Sequence, residues 1–251
     1  VPATVSADLF LAEAFSSIQG EGLHIGVRQI FVRLCDCNLD CRYCDTDFQR
    51  RDHCQIETDP GSGRFQPLKN PVNVETLCAL LDQWIAAAPG LHRAISLTGG
   101  EPLLHAESLA LWLPLLKARL PLHLETNGTL HQHLVRLLPY LDFLSIDLKL
   151  ASVTGQPTPW SDHRQFLQVA SGTASQIKVV VSDDSIETEL LQAAELVAEL
   201  MPQSPLFLQP VTVQGRPVVT GSRLMAWQHL LAATHADCRV VPQIHPFLGI
   251  A

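Results

Sequence analysis

Cys37, Cys41 and Cys44 fall in one short stretch, Cys37-Asn38-Leu39-Asp40-Cys41-Arg42-Tyr43-Cys44, with C-x3-C-x2-C spacing. Three thiolates this close in sequence can converge on one metal centre. A structural zinc needs a fourth ligand to close its tetrahedron, and Cys35, His53 or Cys54 could supply it. An iron–sulfur cluster held by three cysteines keeps one iron open instead. The chain has seven cysteines, an odd number, and four of them lie within ten residues. That pattern reads as metal binding in a reducing compartment rather than as a secreted disulfide framework, so the expected location is cytoplasmic. Cys78 and Cys238 read as core residues, and Cys35 as a small buried residue at a strand end. Cys54 reads as an auxiliary or adventitious ligand in a loop.

Such a site needs a scaffold, and the composition supplies one. The chain has 251 residues, 47% hydrophobic and 17% charged, against roughly 25% charged in an average domain. That suffices for a sizeable core and excludes disorder. A net charge of -8 argues against nucleic acid or an anionic membrane surface as partner. No apolar run is long enough to span a bilayer.

Short apolar runs alternate with longer amphipathic ones. Strands are expected at Arg28 to Leu34, Ala94 to Thr98, Leu122 to Thr126, Asp142 to Leu148, Gln176 to Val181, Leu206 to Gln209 and Arg239 to Val241. Helices are expected at Asn73 to Ala88, with Asn73 as cap, at Ala106 to Leu120, bent or broken by Pro114, after Asn127-Gly128 towards Leu138, from Ser161, from about Ser185 to Leu200 and from Ser222 to about His235. About six strand–helix units imply a parallel sheet covered on both faces, in a single domain spanning 1–251. A polar segment without a clear period, about 49–71, reads as an insertion loop beside the cysteine loop (35–46). In parallel α/β folds the chemistry sits at the carboxyl ends of the strands. The cysteines, Thr98 to Glu101, Glu125 to Gly128, Asp147, Lys149 and Gln209 should therefore share one rim.

The cysteine spacing, with Tyr43 just before the third cysteine, resembles the signature of the radical S-adenosylmethionine superfamily. Thr98-Gly99-Gly100-Glu101-Pro102 resembles that superfamily's glycine-rich motif, in which glycines let a ligand approach the backbone. The resemblance implies a partial (β/α)6 parallel barrel. It also implies a [4Fe–4S] cluster on Cys37, Cys41 and Cys44, with the fourth iron left to S-adenosylmethionine. Contacts to that cofactor would come from Tyr43, Cys44, Asp45, Gly99, Gly100, Glu101, Asn127, Asp147, Lys149 and Gln209.

Further segments resemble a narrower family, the 7-carboxy-7-deazaguanine synthases of the queuosine and deazapurine pathway. They are Ser17-Ile18-Gln19-Gly20-Glu21-Gly22, Phe31-Val32-Arg33-Leu34, Cys44-Asp45-Thr46, Glu125-Thr126-Asn127-Gly128 and the tail Pro242 to Ile250. This implies conversion of 6-carboxy-5,6,7,8-tetrahydropterin to 7-carboxy-7-deazaguanine with release of ammonia. Implied substrate contacts are Ile18, Gln19, Gly20, Glu21, Arg33, Thr98, His245 and the carboxylate of Ala251, within a tail (243–251) that closes the site. The threonine of the third segment, Thr46, would ligate Mg2+, a hard cation suited to hydroxyl, carboxylate and water oxygens. A homodimer and an electron donor such as flavodoxin or ferredoxin are also implied. Two positions depart from the pattern: Asp147 stands where some members have serine in Ser-Pro-Lys, and Pro246 stands where a basic residue is common. The Asp147-Leu148-Lys149 sequence is also similar to glycyl-radical activases, which act on a protein. A non-catalytic zinc- or cluster-binding module is the third class of reading.

Overall fold

The computed structural model describes residues 7–44 and 46–250. The chain opens with an antiparallel pair, β1 (Leu11–Ile18) and β2 (Arg28–Leu34), and a hairpin, β3 (His53–Glu57) and β4 (Phe65–Lys69). Alternation follows: α1 (Val74–Ala87), β5 (Ile95–Gly99), α2 (Ala106–Lys117), β6 (Leu122–Thr126), α3 (His131–Leu137), β7 (Phe143–Leu148), the short α4 (Ala151–Thr154), α5 (Trp160–Ala170), β8 (Ser175–Val181), α6 (Glu187–Leu200) and β9 (Leu206–Pro210). A two-stranded ribbon of β10 (Thr212–Val213) and β11 (Arg216–Pro217) precedes α7 (Gly221–Ala232), β12 (Cys238–Val240) and α8 (His245–Leu248).

The main sheet has ten strands in the order β12-β9-β8-β7-β6-β5-β2-β1-β3-β4. From β2 to β12 every neighbouring pair is parallel. Along this run spatial order follows chain order. Right-handed crossovers then place successive helices on the same face, and the sheet curls as a partial barrel whose edge strands, β12 and β4, do not pair with each other.

Side-chain alternation explains where the core and the site lie. Val32, Leu97, Leu124, Ile146, Val179 and Leu208 belong to one buried apolar cluster with the helices. Their strand neighbours Arg33, Thr98, Glu125, Asp147, Lys178 and Gln209 line a cavity on the opposite face. The strands are therefore apolar on one face only, which corrects the reading of both faces covered. The inner face is left to polar groups.

Three local outcomes differ from expectation. The segment 49–71 is not an irregular loop; it contains β3 and β4, and β3 pairs parallel with β1. Cys54 and Ile56 are buried by period two, while Pro67 sits in the edge strand β4, where a missing donor is tolerated. β1 itself was not anticipated, although it buries Leu11, Ala14 and Phe15. Pro114 neither breaks α2 nor reaches the core: it lies on the exposed face, where water can satisfy the carbonyl it leaves unpaired. Asn73 caps α1 as expected, accepting from the Thr76 amide at 2.8 Å.

Candidate active site

A cavity of about 670 Å³ occupies the concave face of the sheet. Its lining includes Cys37, Cys41 and Cys44 at one side and Gln19, Arg33 and Glu125 at the other.

The cysteine loop leaves the end of β2 and is pinned at several points. Asp36 has a positive φ of 67°, and its carboxylate takes a two-pronged grip from Arg50 at 2.7–3.1 Å. The Cys44 amide donates to the Cys41 carbonyl at 2.9 Å, and the Leu39 amide donates to Cys37 Sγ at 3.4 Å. Asn38 bonds Asn127 and Thr129, tying the loop to the end of β6. Gly99 and Gly100 bring the end of β5 flush against the root of this loop. A Cβ on Gly99 (φ +129°) would meet the Leu34 backbone at 2.2 Å, and one on Gly100 would meet the Asp36 carbonyl at 1.9 Å. The glycines thus serve the packing of motif on motif as well as ligand approach.

The three loop thiols suit a cluster. All three line the cavity; burial raises the pKa of Cys37 and pushes Cys41 up to about 11, with the neighbouring sulfurs adding to the rise, so the thiolate forms need the charge of a bound metal. Among the described residues, no three His, Cys, Asp or Glu side chains close around a single ion. The cysteines proposed as a fourth ligand are elsewhere. Cys35 and Cys54 are fully buried, with Sγ against the carbonyls of Gln49 and Leu68 at 3.5 Å. Cys78 and Cys238 are buried in the core. His53 alone of the three candidates lines the cavity.

The neighbouring wall carries a buried ionic chain. Lys149 Nζ donates to Tyr43 Oη at 3.0 Å and to Asp147 Oδ2 at 2.8 Å. Burial opposes its charge, but Asp147 outweighs it and raises the pKa well above normal. Burial raises the Tyr43 phenol as well. Asp147 Oδ1 is buried without a hydrogen-bond partner, so a ligand hydroxyl or ammonium has an acceptor waiting in the cavity wall. That orphan acceptor and the trio of thiols fit the cluster and cofactor that the sequence motifs imply.

Glu101 lies differently. Its carboxylate is buried and accepts from the amides of Leu103 and Asn127 and from Thr126 Oγ1, at 2.7–3.0 Å. Burial nevertheless pushes its pKa up to about 7. The side chain braces the loops, leaving the backbone of Gly99 and Gly100 on the cavity.

The far side is assembled from single residues. After β1 the chain crosses the concave face: the Leu23 amide donates to Gln176 Oε1 at 2.6 Å on β8. This crossing carries Ile18, Gln19, Gly20 and Glu21 into the lining, a placement that the carboxyl-rim rule does not foresee. Gln19 Nε2 donates to Glu125 at 2.8 Å, and Glu125 also accepts from Ser96 and Thr98. Glu21 accepts from Lys178 at 2.6 Å and from Gln209 and Gln243 at 2.9 Å. Burial would raise its pKa, but Lys178 and the two amides outweigh this and hold it at about 2. Arg33 lines the cavity with Nε held by Glu13 at 2.7 Å and Nη1 3.5 Å from Thr46 Oγ1. The tail folds back over this side. The Ile244 amide bonds the Gly20 carbonyl, and the His245 ring lies where a Gly20 Cβ would be, 2.4 Å from Nδ1.

Twenty-one expected positions can thus be sorted by place. Asp45 and Ala251 lie outside the described residues. Glu101 is off the cavity, and the others line it. Lys178 and Gln176 were not anticipated, while Glu125 was expected on the shared rim and Gln243 within the tail, without their partners. The signal for Lys178 was a lone cation inside the apolar run Ile177-Lys178-Val179-Val180-Val181.

Comparisons with known proteins show the family. Residues 33–170 match the model of the Radical SAM superfamily. A 7-carboxy-7-deazaguanine synthase from Geobacter sulfurreducens is 42% identical over 95% of this chain and 96% of its own. One from Archaeoglobus fulgidus is 34% identical over 96% of this chain and 98% of its own. Among solved structures, QueE from Escherichia coli superposes with a TM-score of 0.62 at 23% identity, covering 94% of each chain.

Proposed function

The chain belongs to the 7-carboxy-7-deazaguanine synthases of the radical SAM superfamily, and from that premise we propose that it converts 6-carboxy-5,6,7,8-tetrahydropterin to 7-carboxy-7-deazaguanine and ammonia. The observation that carries this reading is one cavity with two chemically distinct sides. A three-thiol loop stands at one side, and a guanidinium, amides and carboxylates stand at the other.

When bound, the cluster and S-adenosylmethionine supply one-electron cleavage chemistry that generates a carbon-centred radical. The protein's part is positioning. Cys37, Cys41 and Cys44 would hold the cluster through their thiolates. Gly99 and Gly100 offer backbone to its methionine end, and Asp147 Oδ1 offers an acceptor. Tyr43, Lys149, Asn127 and Gln209 complete that wall. On the substrate side, Arg33 pairs with the pterin carboxylate as a fixed fork, with Glu13 setting its angle. Gln19, Glu125 and Thr98 present donors and acceptors to the edge of the planar ring. Glu21, with a pKa of about 2, is an acceptor only at neutral pH. His245 and the tail, to which Ala251 belongs, close over Gly20. Thr46 would supply Mg2+ with one hard oxygen, a donor type suited to this ion.

We propose further that the chain works as one domain in the cytoplasm, as a homodimer served by flavodoxin or ferredoxin, without nucleic acid. Among the described residues, no helix is long and apolar enough to cross a membrane.

The test is turnover of the anaerobically reconstituted, reduced enzyme with S-adenosylmethionine and the pterin. A deazapurine chromophore and ammonia in equal amounts are expected. Cofactor cleavage with the pterin unconsumed would contradict the assignment and point to an activase.

A further inference from the structure

The two sides of the cavity are joined through Lys178. Its Nζ stands 2.6 Å from Glu21 Oε2 and 3.4 Å from Asp147 Oδ2. Glu21 belongs to the segment crossing from β1 and is bonded to Gln243 of the tail. Asp147 ends in an unpartnered Oδ1 and continues through Lys149 to Tyr43 of the cysteine loop. A chain of charge-assisted contacts therefore runs from the tail to the cluster loop, and Lys178 is its central link.

Resting on the function proposed above, we infer that Lys178 is a positioning residue that makes binding of the pterin and of S-adenosylmethionine mutually dependent. One ammonium has three donors, and here two carboxylates share it. A pterin N–H that bonds Glu21 competes with Lys178 and frees it to move closer to Asp147. That movement fixes the Asp147 carboxylate, with Oδ1 facing the cofactor. In a partly desolvated wall such exchanges are not screened as they are in water. A cofactor donor on Oδ1 fixes the same carboxylate from its other end, keeps Oδ2 towards Lys178 and so eases Lys178 away from Glu21, which leaves Glu21 to the pterin. Linkage requires the effect to be equal in both directions. A lysine that only neutralised two carboxylates would leave the affinities independent.

The experiment is equilibrium dialysis of the reconstituted full chain with labelled S-adenosylmethionine, with and without saturating 6-carboxytetrahydropterin, and the reverse titration. In the wild type each ligand should tighten the other by the same factor, about fivefold or more. In Lys178→Met that factor should fall to about one in both directions while cluster content is retained. Lys178→Arg, which keeps a cation able to bridge two carboxylates, should retain the coupling. If Lys178→Met does not fold, Lys178→Gln is read in the same way. Wild-type coupling in the uncharged variant overturns the inference, as does a wild type that binds both ligands independently. A wild type that binds S-adenosylmethionine but not the pterin overturns the proposed function first, and the inference with it.

Discussion

The cofactor side and the substrate side of the cavity are built on different principles. The cofactor side is made of contiguous loop motifs, Cys37 to Cys44 and Thr98 to Glu101, locked together backbone to backbone by the bonds of Gly100 to Leu34 and Glu101 to Asp36. The substrate side is made of single side chains from β1, β2, β6, β8, β9 and the tail, locked together by ion pairs and amides around Glu21 and Glu125. A chemistry common to a superfamily is held by sequence-local geometry, and the recognition of one molecule is held by residues that meet only after folding.

This contrast can be broken at either end. The largest effect is expected on the cofactor side. Cys44→Ala should lose the cluster, read as iron and sulfide content, and all turnover with it, whereas Cys54→Ala should keep both, because Cys54 is buried against Leu68. Retention of a [4Fe–4S] cluster by Cys44→Ala would remove the basis for the cofactor side.

Glu21→Gln should come next. It removes one partner of a buried ion pair and should cost about 3 kcal/mol of unfolding free energy at pH 7. The pH dependence has a definite sign. The Glu21 carboxyl is held at about 2 against its usual 4.5, so its stabilising contribution is present above about pH 4.5 and fades as pH falls towards about 2. The gap between wild type and Glu21→Gln in denaturant titrations should therefore close over that acid window. A gap independent of pH would mean that the ionic chain is not what holds this side.

Arg33→Gln should raise the KM for the pterin by about 10- to 100-fold, the loss of charge-assisted hydrogen bonds worth roughly 1.5–3 kcal/mol, and leave S-adenosylmethionine binding unchanged. Equal losses for both ligands would erase the division of the cavity. The smallest effect should come from Thr46→Val, which should weaken the magnesium activation of turnover with cluster content intact.

The same division explains what could be read from the sequence. The parallel strands and their helices were legible because period and caps are local: Asn73 before α1 and the apolar alternation of Leu144, Ile146 and Leu148 need no tertiary knowledge. The cysteine and glycine motifs were legible for the same reason. Lys178 was hidden, since it is one polar residue in a short strand, and its value depends on which neighbours the sheet supplies. The crossing of Gln19 to Leu23 over the concave face was hidden too, because β1 runs antiparallel to β2 and its exit from the sheet is set by contacts with β8. The hairpin of β3 and β4 was missed because its polar alternate face and the Asp59 to Gly63 turn dilute the apolar signal, and only pairing with β1 gives it a buried side. Glu101 shows a second kind of hidden feature. This carboxylate in a binding motif is buried and bonded to Leu103, Thr126 and Asn127, and that burial was not visible in the motif itself.

The most direct test of the two-sided cavity is an anaerobic crystal structure of the reconstituted enzyme with S-adenosylmethionine and the pterin bound. The account predicts a cluster on Cys37, Cys41 and Cys44 with its fourth iron bound by the cofactor, the methionine end against Gly99 and Gly100, and the pterin between Arg33, Gln19 and Glu125. A fourth protein ligand on the metal, or a pterin outside this cavity, would contradict it.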